Sequence, residues 1–97
     1  MAAELVVEIV NKRGLHARAA AKFVKIVTSY AAQVQVVKLG TGGEENSPVV
    51  GGSSILGLMM LGADKGSKLF ITAVDDQAQE ALAALKELIQ NRFGEDE

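Results

Sequence analysis

Apolar and polar positions alternate along this chain with two different periods. Leu5-Val6-Val7-Glu8-Ile9-Val10 is rich in β-branched residues and predicts a strand. Asn11-Lys12-Arg13-Gly14 follows as a polar stretch with a turn-forming glycine. From Ala17 to about Ser29 the spacing becomes helical: Ala20, Phe23, Val24 and Val27 share one face, and alanine and lysine favour the helix. Gln33 to Leu39 alternates polar with apolar, as a half-buried strand does. Gly40 to Asn46 is glycine-rich and charged, a flexible turn. Val49-Val50 predicts a short strand, and Pro48 beside it indicates an edge position. Ser54 then caps a short helix running from Ile55 to Leu61 and ended by Gly62. Leu69 to Val74 is a further strand. Asp75 and Asp76 start the last helix, with Asp76 as N-cap and Gln79 completing an approximate capping box. Ala78, Ala81, Leu82, Leu85, Leu88 and Ile89 form its apolar stripe, Gly94 stops it, and Glu95-Asp96-Glu97 is expected to fray.

The predicted order is strand–helix–strand–strand–helix–strand–helix. With no internal repeat and no long linker, the 97 residues read as one α+β domain over 1–97. Its helices lie on one face of a sheet, and the other face is partly open to water.

Composition narrows the chemistry. There is no cysteine, which excludes disulfides, thiolate metal sites and a cysteine nucleophile. A single histidine excludes a histidine-cluster metal site, so neither metal nor cofactor is expected. No apolar run approaches the ~20 residues that cross a bilayer. Met1 to Val10 holds two glutamates and no basic residue, unlike a signal peptide, so a cytoplasmic protein without membrane insertion is expected. Charge is uneven. Ile9 to Gly43 carries Lys12, Arg13, Arg18, Lys22, Lys25 and Lys38 and no acid, whereas Asp75 to Glu97 carries seven acids against Lys86 and Arg92. A basic face of this kind suits an acidic partner or a phosphate. Overall acidity and few aromatics argue against nucleic acid, since Phe70 is the only aromatic on a predicted strand.

The one histidine has a specific setting. His16 follows the turn at Gly14-Leu15 and directly precedes a helix, which places it at or beside the N-cap. The first-turn N–H groups there, those of Ala17 and Arg18 included, lack helical partners and point at any anion. Arg18 adds a cation with several donors suited to phosphate oxygens. A neutral imidazole has a lone pair that can attack phosphorus, so His16 is a candidate phosphoryl acceptor. No Walker-type loop, kinase motif or magnesium-binding carboxylate pair is evident, so phosphate is expected to come from another protein. Ser54 is a second candidate, because an N-cap serine would hold an added phosphate at a helix N-terminus. The run Ile55 to Leu61 has more apolar residues than one buried face can use, which predicts an exposed docking patch.

Gly14-Leu15-His16-Ala17-Arg18-Ala19-Ala20-Ala21-Lys22-Phe23-Val24 resembles the active-site signature of the HPr family, the histidine-containing phosphocarriers of the phosphoenolpyruvate-dependent phosphotransferase system. Ser54-Ile55-Leu56-Gly57-Leu58-Met59-Met60-Leu61-Gly62 resembles the family's second signature, around its regulatory serine. The resemblance covers essentially the whole chain. It implies an open-faced β-sandwich with four antiparallel strands and three helices. It implies phosphorylation of His16 on Nδ1 by enzyme I, assistance from Arg18, and transfer to an enzyme IIA protein. Such a protein is a stoichiometric carrier and not a conventional turnover enzyme. Ser54 would be the target of an HPr kinase/phosphorylase. Ala21, Lys25, Thr28, Ile55, Leu56 and Met59, together with Ala17, match partner-facing positions, and a monomer is the default.

Three departures from the family pattern stand out. Ala19 replaces a common proline, which leaves the anion nest intact. Ser53 stands where lysine is frequent. Gly40 to Asn46 lengthens a turn. Ala19, the Ile55–Leu61 run and the Phe93-Gly94-Glu95 ending are similar to HPr-like proteins of the nitrogen-related branch and their proteobacterial relatives. The competing reading is a regulatory module that acts through Ser54-dependent protein binding with His16 incidental.

Overall fold

The computed structural model describes residues 2–97. Strand β1 (Ala2–Glu8) leads through the turn at residues 11–14 to helix α1 (Ala17–Thr28). Strands β2 (Gln33–Lys38) and β3 (Val50–Gly51) precede helix α2 (Ile55–Met60). Strand β4 (Lys68–Val74) and helix α3 (Ala78–Gln90) follow, and a short 3-10 turn, Arg92–Gly94, comes after them. The sheet is antiparallel throughout, in the order β1-β4-β2-β3, so β3 lies at an edge as Pro48 led us to expect.

Alternation sets the register. Val7 pairs with Leu69, Leu5 with Ile71, and Val36 with Ile71, which stacks the inward residues of three strands in rows. A slip of one residue would turn every one of these side chains to water. Helix α1 covers the rows with Ala19, Ala20, Phe23 and Val27, and α3 with Ala78, Ala81, Leu82, Leu85 and Ile89. The opposite sheet face stays open; there Val6 faces Phe70 across the β1–β4 ladder and remains 56% exposed. This is the two-layer α+β sandwich that the pattern implied.

Element boundaries differ from expectation in places. Strand β1 ends at Glu8, yet Ile9 stays fully buried and its N–H donates to the Ser67 carbonyl at 2.8 Å. Asp75 and Asp76 do not start α3. Asp75 has φ 84°, and the N-cap is Gln77, without a side-chain cap. The capping box is displaced by a tertiary pairing. Gln77 accepts at Oε1 from the Ala31 N–H (2.7 Å) while its own N–H donates to the Ala31 carbonyl (3.0 Å), lashing the start of α3 to the α1–β2 connection. Nor does Gly94 end α3, which stops at Gln90 with Asn91 as C-cap. The turn at 40–46 is pinned at its base, where Asn46 Oδ1 accepts from the Gly40 N–H and Ser47 pairs with Lys38. Among the described residues no helix is long and apolar enough to cross a membrane.

Candidate functional site

The segment before α1 is shaped by a buried asparagine. Asn11 is fully buried, and its Nδ2 donates to the Gly14 carbonyl at 2.9 Å while the Gly14 N–H donates to the Asn11 carbonyl at 3.2 Å. Gly14 has φ 68°, and a Cβ there would run into the Ala63 carbonyl oxygen and lie 2.9 Å from Asp64 Cα. Only glycine fits both the left-handed backbone and the close approach. Leu15, buried, donates its N–H to Ala63 at 2.9 Å. The chain thus enters α1 from a fixed turn.

His16 is the N-cap of α1, in extended conformation, and its carbonyl accepts from the Ala20 N–H at 2.8 Å. Its ring does not cap the helix, so the first-turn N–H groups have no side-chain partner at the cap. Arg18 is exposed and takes part in neither of the ion pairs among the described residues. It lines a cleft with Lys12, Arg13 and Lys22, whose far wall is Gly94 to Glu97. Four of the six cations counted in the basic stretch therefore line one cleft together with Glu95.

The acidic tail is docked, not frayed. Arg92, Phe93 and Gly94 have φ 59°, 54° and 77°, three successive left-handed residues that turn the chain back over α1. A left-handed arginine and phenylalanine cost about 1–3 kcal/mol each. Complete burial of the Phe93 ring offsets that strain. Lys22 Nζ donates to the Phe93 carbonyl at 2.6 Å, and the Lys12 N–H donates to the main-chain oxygen of Glu97. The Lys12–Glu97 ion pair at 3.4 Å is 72% exposed on both sides and adds little.

This path delivers Glu95 to the histidine. Its Oε1 accepts from Asn11 Nδ2 at 2.9 Å, and its Oε2 pairs with His16 Nε2. The His16 and Glu95 side chains are 16% and 18% exposed. Burial pushes the Glu95 carboxyl up, but hydrogen bonds from Asn11 and His16, with the charges of protonated His16 and of Arg13, outweigh it and hold the group below its ordinary 4.5. An ionised carboxylate only accepts, so Nε2 carries the proton of that hydrogen bond. Nδ1 takes part in none of the hydrogen bonds among the described residues. Asn11 Oδ1 is buried without a partner. The reversed amide would point oxygen at two acceptors, so the unpaired Oδ1 is the cheaper arrangement.

The second signature lies on α2. Ser54 is its N-cap, exposed, with Oγ accepting from the Gly57 N–H at 2.9 Å. Leu58 and Leu61 are buried, whereas Ile55, Leu56, Met59 and Met60 are exposed, Leu56 by 68%. Ala17, Ala21, Lys25 and Thr28 are exposed along one stripe of α1, and α1 packs against α2. Sequence reasoning singled out His16 and Arg18 but missed Asn11, Phe93 and Glu95. A phenylalanine inside an acidic terminal stretch was the available signal that the tail packs. Glu95 was noted only as part of the Phe93-Gly94-Glu95 ending, which by itself assigns it no role.

The family model for the PTS HPr component phosphorylation site matches residues 3–91. The phosphocarrier protein HPr of Pseudomonas aeruginosa is 48% identical over 93 residues, covering 96% of this chain and 97% of that protein. Among solved structures, HPr-C-His from Thermoanaerobacter tengcongensis superposes with a TM-score of 0.84 at 38% identity, over 98% of this chain and 99% of that one. HPr from Bacillus anthracis gives 0.79 at 34%, over 92% and 98%. Fold and sequence alike define a phosphocarrier of the phosphotransferase system. The chain belongs to the HPr family.

Proposed function

We propose that this chain, acting as one domain over 1–97, accepts a phosphoryl group on Nδ1 of His16 from phosphorylated enzyme I and passes it to an enzyme IIA protein. The observation that carries this is the pairing of Nε2 with Glu95, which leaves Nδ1 as the ring nitrogen with a free lone pair. Nδ1 attacks phosphorus as the donor's bond to phosphorus breaks, and the electron pair of that bond leaves with the donor. The phosphoryl oxygens then lie against the α1 N-terminus and Arg18, where their charge is favoured. Transfer onward is the reverse displacement on the acceptor's nucleophile.

Docking is assigned to Ala21, Lys25 and Thr28 on α1 and to Ile55, Leu56 and Met59 on α2, exposed positions on neighbouring helices. Ser54 is the proposed site for an HPr kinase/phosphorylase, supported by its exposure and N-cap position. Phosphate placed there meets a helix N-terminus beside the docking residues and would alter partner binding. The acceptor serves either sugar uptake or nitrogen-related regulation.

The test is incubation with phosphoenolpyruvate, magnesium and enzyme I of either branch, followed by mass spectrometry. An acid-labile phosphate on His16, absent from His16→Ala, is expected. Folded protein that takes no phosphate from either enzyme would overturn the reading.

A further inference from the structure

The hydrogen-bonded chain from Asn11 through Glu95 to His16 resembles nothing that a solvated tail would make. Asn11 is fully buried and fixed to Gly14, two residues before the histidine. Its second N–H holds one oxygen of Glu95, and the other oxygen faces Nε2. The carboxylate is therefore gripped from the same turn that positions the ring. Its backbone is set independently by the buried Phe93, by Lys22 on the Phe93 carbonyl and by Lys12 on Glu97. A strained left-handed path at Arg92 and Phe93 is maintained to achieve this.

We infer that Glu95 is a positioning residue for phosphotransfer: it holds the proton on Nε2, fixes the ring, and keeps the lone pair on Nδ1. The inference rests on the carrier reading above and deepens it. An imidazole with one nitrogen protonated exposes its lone pair at the other, so the choice of tautomer selects the nucleophilic atom. When the Nδ1–P bond forms, the ring gains positive charge while the Nε2 proton stays in place, and the Glu95 carboxylate faces that charge directly. When phosphate leaves, the electron pair returns to Nδ1 with no proton having moved. The carboxylate's repulsion of the phosphoryl oxygens is offset by Arg13, which acts on Glu95, and by Arg18 and Lys12 along the cleft. Glu95 touches neither phosphorus nor donor and is not itself a catalytic residue.

The test begins without any enzyme. Protein labelled with ¹⁵N in histidine is examined by NMR at alkaline pH, where the ring is neutral and its two nitrogens report which one carries the proton. Wild type is expected in the Nε2–H form by about tenfold or more over the same ring without the charged acceptor. Glu95→Ala should raise the Nδ1–H population measurably and slow phosphate uptake from enzyme I. With Asn11 held by Gly14, Glu95→Gln turns its amide oxygen to Asn11 Nδ2 and its N–H groups to His16 Nε2, so it should favour the Nδ1–H form, as Glu95→Ala does, and slow uptake. Backbone amide spectra verify that each variant is folded. An unchanged tautomer population in Glu95→Ala, or an altered one with unchanged uptake, would overturn the role of Glu95. Absence of phosphate on wild-type His16 would overturn the carrier reading instead.

Discussion

At the scale of single residues, the pair Glu95–His16 makes the tail responsive to acid. The Glu95 carboxyl in the folded protein sits below its ordinary 4.5, so the docked tail binds its proton less readily than a free one. The stabilisation is complete above that ordinary value, where both forms are ionised. It is lost as pH falls through the lowered folded value, because the free tail takes up protons first. Amide shifts of Arg92 to Glu97 should therefore change as pH is taken from above 4.5 to below it, while those of the sheet stay constant. Invariant tail shifts over that range would mean that Glu95 contributes nothing to docking. Asn11 explains why the effect is local: it is held by Gly14 whether or not Glu95 is charged.

At the scale of elements, the Arg92–Gly94 turn contributes more than its length suggests. Phe93 joins α3, the inner sheet face and α1 in one core. Phe93→Ala should lower stability by about 3–5 kcal/mol, a large part of the ~5–15 kcal/mol typical of a small domain. It should also release Lys22 and expose His16 Nε2. Urea unfolding gives the first number, and a loss below about 1 kcal/mol would show that the ring can be spared. Strands and helices were legible because two-residue and helical periods are written locally in residues such as Leu69, Ile71, Phe23 and Leu85. The start of α3 was not, because Gln77 answers to Ala31, 46 positions away, and not to its own helix. His16 and Arg18 were legible for the same local reason. Glu95 reaches His16 across 79 positions, and the acidic composition around it reads as solvated surface. What composition hid was a backbone path made of left-handed residues, which no periodicity announces.

At the scale of the whole molecule, charge is sorted by task. Lys22 belongs by sequence to the basic face, but its amine is committed to the Phe93 carbonyl and serves the fold. Replacing Lys22 together with Lys25 would confound steering with loss of the tail. Lys25 alone is the informative position: exposed on α1, it makes no ion pair among the described residues. If the proposed donor, enzyme I, presents an electronegative face to α1, Lys25→Glu should slow association with it several-fold at low ionic strength. The difference should shrink as salt rises. Stopped-flow association rates at two salt concentrations decide it, and equal rates at low salt would remove steering by this residue.

The antiparallel pairing of β1 with β4 has a practical corollary for tethering. Ala2 stands opposite Val74, at the far end of a seven-residue strand from the turn that leads to His16. At about 3.3 Å per residue, cargo joined ahead of Ala2 begins roughly 20 Å from that turn. Cargo joined after Glu97 begins on the rim of the cation-lined cleft, where Lys12 already holds the backbone. The two ends of the chain are thus unequal handles: one lets an attached label or surface leave the histidine unobstructed, and the other places it in the doorway.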